Sequence, residues 1–433
     1  MKILHTSDWH LGQHFMGRTR HVEHKALIAW LLLQVQEHDV ELIILSGDVF
    51  DTGAPPSYAR ELYNQLVIQL HNLSCQLIVL AGNHDSVSML NESKHLLACL
   101  STSVIAKTQP ENKNDHVIEV KDRHGNLAAI VCAVPFIRPK DLMTSEANQS
   151  EMDKKHTLLS QIQAFYFDVF KTALETRRAS MKMSDTITDV VQGSLFNTEV
   201  PIIGTGHLTT LGAKTSESVR DIYIGTLESI PAQAFPPFDY LALGHIHRAQ
   251  VVAGNECQRY SGSPICLSFD ELNKNKSMVL LDTKQVSDLG VFEPILLAIP
   301  SFQSMKTIRG DIKDVLNELT ELVAQLDEDA PSIWLEVKVT TDSYLNDVQK
   351  RIQEIIQGSP VDLLRVTRTA KTQVVDHSNT TNETLTELTV EDVFERCLAS
   401  STLAKTDQTE DIQALKHVFN ECLSAMEEGD LAP

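Results

Sequence analysis

Several large protein classes are excluded by what this chain lacks. Its seven cysteines, at positions 75, 99, 132, 257, 266, 397 and 422, include no CxxC pair. Neither a disulfide framework nor a thiolate zinc site is expected, and the thiols read as reduced and mostly buried. No stretch matches GxxxxGK[ST], so any dependence on ATP has to come from a partner. Apolar runs such as residues 26–33 are far too short to span a membrane. The opening Met1-Lys2-Ile3-Leu4-His5-Thr6 has neither the basic nor the apolar region of a signal peptide, and a cytoplasmic location is expected. Positive charge is scarce as well: 37 Lys and Arg against 58 Asp and Glu give a formal charge of −21. That argues against holding nucleic acid by bulk electrostatics alone. Part of the acidity is local, because residues 371–433 hold 13 acidic and 4 basic side chains, leaving −12 for the rest.

What is present is a long chain rich enough in apolar residues to bury more than one core. With 433 residues, 42% of them hydrophobic, two or three domains are expected. Residues 41–45 and 76–80 are compact apolar runs, with Leu27, Trp30, Leu31 and Tyr63, Leu66, Ile68 recurring at helical spacing around them. This βαβαβ alternation predicts a largely parallel sheet with helices on its faces. Residues 117–120 and 127–135 flank a hairpin turn at 123–126, residues 155–178 read as a long helix, and 180–199 as a loop. From about Pro300 a second unit follows: a helix over 314–326, a half-buried strand of alternating Ile333, Leu335, Val337 and Val339, a helix over 344–356 and a strand over 361–367. The expected architecture is α/β: a 1–299 core of sheets flanked by helices, a 300–369 α+β cap, a 370–384 linker and a 385–433 helical tail.

Histidines and aspartates fall where a site would form. Asp8 and His10 follow the first apolar run, Asp48 the second, and Asn83, His84 and Asp85 the third; His207 follows residues 202–205, and His245 and His247 follow 241–243. Ligands bind at the carboxyl ends of strands in open α/β sheets, so five stretches are expected to converge on one rim. A glycine precedes the key residue in four of them, which should let the backbone turn sharply. Asp-x-His and His-x-His are i, i+2 pairs, expected to share a face and reach one ion. Imidazole with carboxylate suits manganese, iron or zinc better than calcium or magnesium. The candidates exceed what one ion needs and suffice for two that share a bridging carboxylate, a pair that clamps both oxygens of a phosphoryl displacement. Each motif alone is most often a turn or a surface pair; the five together carry the inference. His5, His14, His21 and His24 match no such position and read as core or surface residues.

The order D-x-H, G-D, G-N-H-D, G-H, G-H-x-H resembles that of the calcineurin-like metallophosphoesterases. More narrowly, Thr6-Ser7-Asp8-Trp9-His10-Leu11-Gly12, Gly47-Asp48-Val49-Phe50-Asp51-Thr52-Gly53-Ala54-Pro55-Pro56-Ser57-Tyr58-Ala59, Gly206-His207-Leu208-Thr209-Thr210, Arg220-Asp221-Ile222-Tyr223-Ile224-Gly225 and Tyr260-Ser261-Gly262-Ser263-Pro264 are similar to the SbcD family of bacterial nuclease subunits. The likeness runs over nearly the whole chain. It implies one manganese ion on Asp8, His10, Asp48 and His247, and a second on Asp48, Asn83, His207 and His245, with Asp48 bridging. It implies that His84 is the non-ligand histidine facing the scissile phosphate, a transition-state stabiliser or general acid. Asp85 then either orients His84 or caps the following helix. The resemblance further implies a homodimer inside a heterotetramer with the coiled-coil ATPase SbcC, acting on duplex DNA ends, hairpins and single strands at the nucleoid. Local arginines such as Arg18 and Arg20 are expected to help hold phosphate, and the apolar stripe Ile412, Leu415, Val418, Phe419, Cys422, Leu423, Met426 to dock on the partner rather than to pack on the chain's own α+β unit. A stand-alone phosphodiesterase for a small ester shares the ligand order, although it needs neither cap nor tail. A degenerate scaffold would not keep the ligand set.

Overall fold

Strands buried on both faces read as unbroken apolar runs, and the first strands of this chain do so: Leu42–Leu45 is LIIL and Gln76–Leu80 is QLIVL, buried almost throughout. The computed structural model describes residues 1–142, 151–185, 200–219, 229–284, 292–327, 330–340 and 345–369. The expected parallel sheet is the first of two. Its order is Ile295–Ala298, Ser277–Asp282, Lys2–Thr6, Leu42–Leu45, Gln76–Leu80, Thr102–Ile105. The last four run parallel and the first two antiparallel. The second sheet runs Gln250–Val252, Asn255–Tyr260, Tyr240–Gly244, Ile202–His207, Leu127–Cys132, Val117–Lys121. Its middle four strands are parallel, and the expected 117–132 hairpin closes one edge.

Alternation along each strand sets the layering. Ile3, Leu42, Ile44 and Ile78 of the first sheet pack against Val131, Ile203, Tyr240 and Ala242 of the second. Leu4, Ile43, Leu45, Leu77 and Val79 face the other way, onto the helices His21–Glu37 and Ser57–Asn72. The outer face of the second sheet is covered by the long helix Glu151–Asp185 through Ile162, Phe165, Tyr166 and Val169. The result is a four-layer helix–sheet–sheet–helix sandwich in which both sheets aim strand ends at the same rim. Among the described residues no helix is long and apolar enough to cross a membrane.

The unit after Pro300 is a three-stranded parallel sheet, Ser304–Asp311, Ile333–Thr340 and Val361–Thr369, with helices Ile312–Ala324 and Leu345–Ile356. Asp311 starts the first helix by accepting from the Lys313 and Asp314 amides, both at 2.9 Å, which satisfies two of the donors a helix leaves open. The central strand is not half-buried as its alternation suggests. Trp334 is 5% exposed and Glu336 is fully buried, because this face lies against the sandwich. Phe15 stacks on Trp334 at 5.5 Å, and Arg20 covers both rings. The expected linker and C-terminal helices, and most of the expected loop over 180–199, lie outside the described residues.

Candidate metal centre

Nearly every predicted site residue arrives at one place, and four of the nine arrive strained. Asp8 (φ 56°), His10 (φ 47°), Asp48 (φ 51°) and His245 (φ 94°) all have left-handed backbones, a conformation that costs an ordinary residue on the order of 1–2 kcal/mol and clusters at functional sites. The turns are pinned across chain segments: the Asp8 amide donates to Gly47 O at 3.0 Å and the His10 amide to Asp48 O at 3.1 Å. Of the four glycines expected to provide sharp turns, only Gly47 has the positive φ, 93°. The others are there for space. A Cβ on Gly82 would stand 2.1 Å from Asp48 Oδ1, one on Gly244 2.0 Å from Ser46 O, and one on Gly206 2.6 Å from the Tyr166 hydroxyl.

Besides a partly buried trio of His10, Asp51 and His84, two fully buried groups of donor atoms result. Asp8, His10, Asp48 and His247 form one, and Asp48, His207 and His245 the other, each with its atoms within 4.8 Å of one another and all residues buried. Asn83 joins the second: its Oδ1 lies 3.0 Å from His207 Nε2 and 3.1 Å from His245 Nδ1. Of the i, i+2 pairs, Asp8 and His10 fall in one donor group, whereas His247 and His245, with its left-handed backbone, fall in different ones, the same division that the resemblance implies.

Outer contacts fix several of these rings. His207 Nδ1 donates to Ser46 O at 2.8 Å, His10 Nδ1 lies 3.0 Å from Asp51 Oδ1, and His247 Nδ1 lies 2.6 Å from Ser218 Oγ. The inward nitrogens then have little to bond. His10 Nε2 and Asp48 Oδ2 are buried without a hydrogen bond, although they stand 3.6 Å apart and His207 Nε2 is 3.3 Å from the same oxygen. With Nδ1 committed as a donor, a neutral His207 would aim its Nε2 lone pair at Asn83 Oδ1 and Asp48 Oδ2, so a proton or a cation has to lie between them. Burial opposes a charge on His207, but Asp48 outweighs it and pushes the ring up to about 9. Burial likewise opposes ionisation of Asp48, yet His207, His10 and His84 hold its carboxyl well below the usual range. Burial and the neighbouring His207 hold His245 well below its ordinary value, leaving it a neutral base. An orphaned, buried N/O donor set of this kind fits borderline divalent cations.

Around the donors the outcomes differ. His84 is half-buried; its amide donates to Asp48 Oδ1 at 2.9 Å and its Nδ1 to Asp51 O at 2.7 Å, with the ring 4.6 Å from that of His10. Neither role expected of Asp85 is what its carboxylate does. It accepts from the amides of Gly82 (2.8 Å), Phe50 (3.0 Å) and Val49 (3.2 Å), stitching two ligand loops together, while Ser86 caps the next helix at Met89. Burial and Asp48 push Asp85 up to about 6. Arg20 is no phosphate-binding group either. It is 1% exposed and donates to Glu23, Gln13 and Cys266 O, and Arg18 pairs with Asp362 at 2.6 Å. Asp51 was missed, although it stands in the same Gly47-Asp48-Val49-Phe50-Asp51 run; only the fold shows that it serves two histidines.

The first 249 residues match the calcineurin-like phosphoesterase family model, and residues 301–402 match the type 5 capsule protein repressor C-terminal domain. That sets the class: a metallophosphoesterase with a second domain. Proteins named as the SbcD component of the nuclease SbcCD narrow it, being 43% identical over 98% of both chains in Escherichia coli (strain K12), 31% identical over 65% of this chain and 66% of the relative in Rhodobacter capsulatus, and 26% identical over 82% and 83% in Staphylococcus epidermidis. The chain belongs to this SbcD family.

Proposed function

We propose that this chain is the nuclease subunit of an SbcCD-like complex, cleaving DNA phosphodiesters with two divalent ions, manganese by preference. The observation that carries the reading is the orphaned Asp48 Oδ2, which stands between the His10 and the His207 sides of one buried donor set. Asp8, His10, Asp48 and His247 would hold one ion and Asp48, Asn83, His207 and His245 the other. When bound, such a pair activates water and stabilises charge on the attacking and leaving oxygens.

The remaining chemistry belongs to the chain. Asp51 holds the rings of His10 and His84 through its carboxylate and its carbonyl. With Nδ1–H on that carbonyl, it is the His84 Nε2 that would face the phosphate or the leaving alkoxide, and it would serve as a general acid only with the ring carrying a second proton on Nε2. Asp85 keeps the Asp48 and Asn83 loops in register through three amides. Residues 300–369 serve as the cap, and residues 385–433, carrying the 412–426 stripe, as the dock for a coiled-coil ATPase partner, which alone would supply ATP dependence. The working unit would be a homodimer of this chain with two partner subunits, at the nucleoid in the cytoplasm.

The deciding assay is digestion of hairpin, blunt-ended and single-stranded DNA with Mn²⁺, with and without the partner ATPase, beside a small phosphodiester. Cleavage of DNA far above the small ester is expected; the reverse ranking would make the chain a stand-alone phosphodiesterase. Truncation after Ala370 should leave single-strand cleavage intact and abolish co-purification with the ATPase. Unchanged binding of the partner would defeat the docking role.

A further inference from the structure

His247 is held from outside by a buried carboxylate far along the chain from the ligand motifs. Glu271 is 2% exposed. Its Oε1 accepts from Ser218 Oγ at 2.6 Å and Ser216 Oγ at 2.8 Å; its Oε2 accepts from Lys276 Nζ at 2.6 Å and the Leu267 amide at 3.1 Å. Ser218 Oγ in turn lies 2.6 Å from His247 Nδ1, while Glu271 Oε1 itself is 3.8 Å away, too far for a direct bond. Lys276 also donates to the carbonyl of His247 at 3.2 Å. Ring and backbone of this one histidine are therefore both tied to residues that converge on Glu271.

Proton counting gives the relay a direction. The Glu271 carboxylate faces the Lys276 ammonium at 2.6 Å and also takes the Leu267 amide and two serine hydroxyls, so it can only accept. Ser218 has a single hydroxyl proton. At 2.6 Å from a carboxylate that proton has to point to Glu271, because the alternative sets two lone pairs against each other. The Ser218 oxygen then accepts, and the proton it accepts is on His247 Nδ1. The neutral ring is left with its lone pair on Nε2, the nitrogen available to the Asp8, His10 and Asp48 group.

We infer that Glu271, acting through Ser218, is a positioning residue that fixes the tautomer and orientation of His247 for the ion held with Asp8 and His10. The inference rests on the two-ion reading above and deepens it, since it assigns the relay to one ion only. Outer partners of this kind commonly contribute about 10–100-fold to metal affinity.

The test is a titration of the full-length chain with Mn²⁺, followed by calorimetry and by the Mn²⁺ resonance signal. Ser218→Ala is the first variant, because it leaves the buried Glu271–Lys276 pair intact. One ion should bind as in the wild type and the other about 10–100-fold more weakly, with the melting temperature of the metal-free chain unchanged. Ser218→Thr, which keeps the hydroxyl, should restore the second ion, and Glu271→Gln should reproduce the Ser218→Ala pattern. A Ser218→Ala chain that binds both ions like the wild type overturns the inference, as does equal weakening of both ions or failure of Ser218→Thr to rescue. A wild type that binds fewer than two ions brings down the two-ion reading itself and this inference with it.

Discussion

The four-layer sandwich and the three-stranded unit repeat the same local pattern of apolar strand, turn and helix, and their strand ends behave differently. After Ser304–Asp311 the acid at the strand end has φ −70° and is exposed to solvent, and its Oδ1 accepts the Lys313 and Asp314 amides as a helix cap. After Lys2–Thr6 and Leu42–Leu45, Asp8 and Asp48 stand in left-handed turns, and Asp48 keeps one oxygen without a hydrogen bond. Among the described residues of 304–369 only Gly358 has a positive φ. An aspartate behind a strand is therefore not a site by itself. It becomes one where the turn is fixed by other segments and a carboxylate oxygen is buried without a hydrogen bond, as Asp48 Oδ2 is.

The sharpest way to break the comparison is Asp48→Ala. Because one carboxylate faces both groups, the variant should lose detectable nuclease activity and metal at both positions. A metal-content measurement finding two fully occupied ions would refute the bridging role. His84→Ala should keep both ions and its DNA while turnover falls by about 10²–10⁴-fold; metal lost along with activity would make His84 a ligand. Gly82→Ala places a Cβ 2.1 Å from Asp48 Oδ1, and a shift of that size should cost about 10²-fold in activity. Its counterpart in the three-stranded unit, Gly358→Ala, meets open space at φ 80°, so it should cost only about 1–2 kcal/mol of stability and leave activity unchanged. Equal effects of the two would erase the distinction between the units.

A smaller effect should appear with acid. His5 bridges Tyr240 and Leu243 O between the sheets, and burial lowers it to about 3; burial and Arg20 lower His24 to about 3 as well. Both lie below the unfolded value of about 6.5, so the unfolded chain binds the extra proton. The stability involved is complete above about pH 6.5 and is lost as pH falls toward about 3, by up to about 1.4 kcal/mol per pH unit for each group. Residues 304–369 contain no histidine, so hydrogen exchange between pH 7 and 5 should rise first in the sandwich. Urea unfolding of His5→Gln should show a shallower pH slope than the wild type; an identical slope would remove His5 from the account.

The identities of the donors were legible along the chain because they depend on local facts: an apolar run followed by Asp-x-His, Gly-Asp, Gly-Asn-His-Asp or Gly-His-x-His, at the place where an α/β strand ends. The βαβαβ order and the alternation in the strand from Ile333 were legible for the same reason, as periodicity is a property of neighbours. What each polar group bonds to was not. Asp85 looked like a partner for the adjacent His84, yet its carboxylate went to amides at Val49 and Phe50, 36 and 35 residues away. Arg20, expected to help hold phosphate, lies instead against the rings of Phe15 and Trp334.

By itself, then, the sequence determined the strands, the donor chemistry and the rim on which the donors gather. Tertiary structure decided that two stacked sheets, not one, supply that rim, that His245 and His247 part company, and that Glu271 and Asp51 serve histidines no spacing connects to them. The physical reason is that hydrophobic period and residue type act over a few residues. Satisfaction of a buried proton or lone pair is settled by whichever group packing brings within about 3 Å, such as the Asp8 carboxylate that meets the His245 amide across 237 residues of chain.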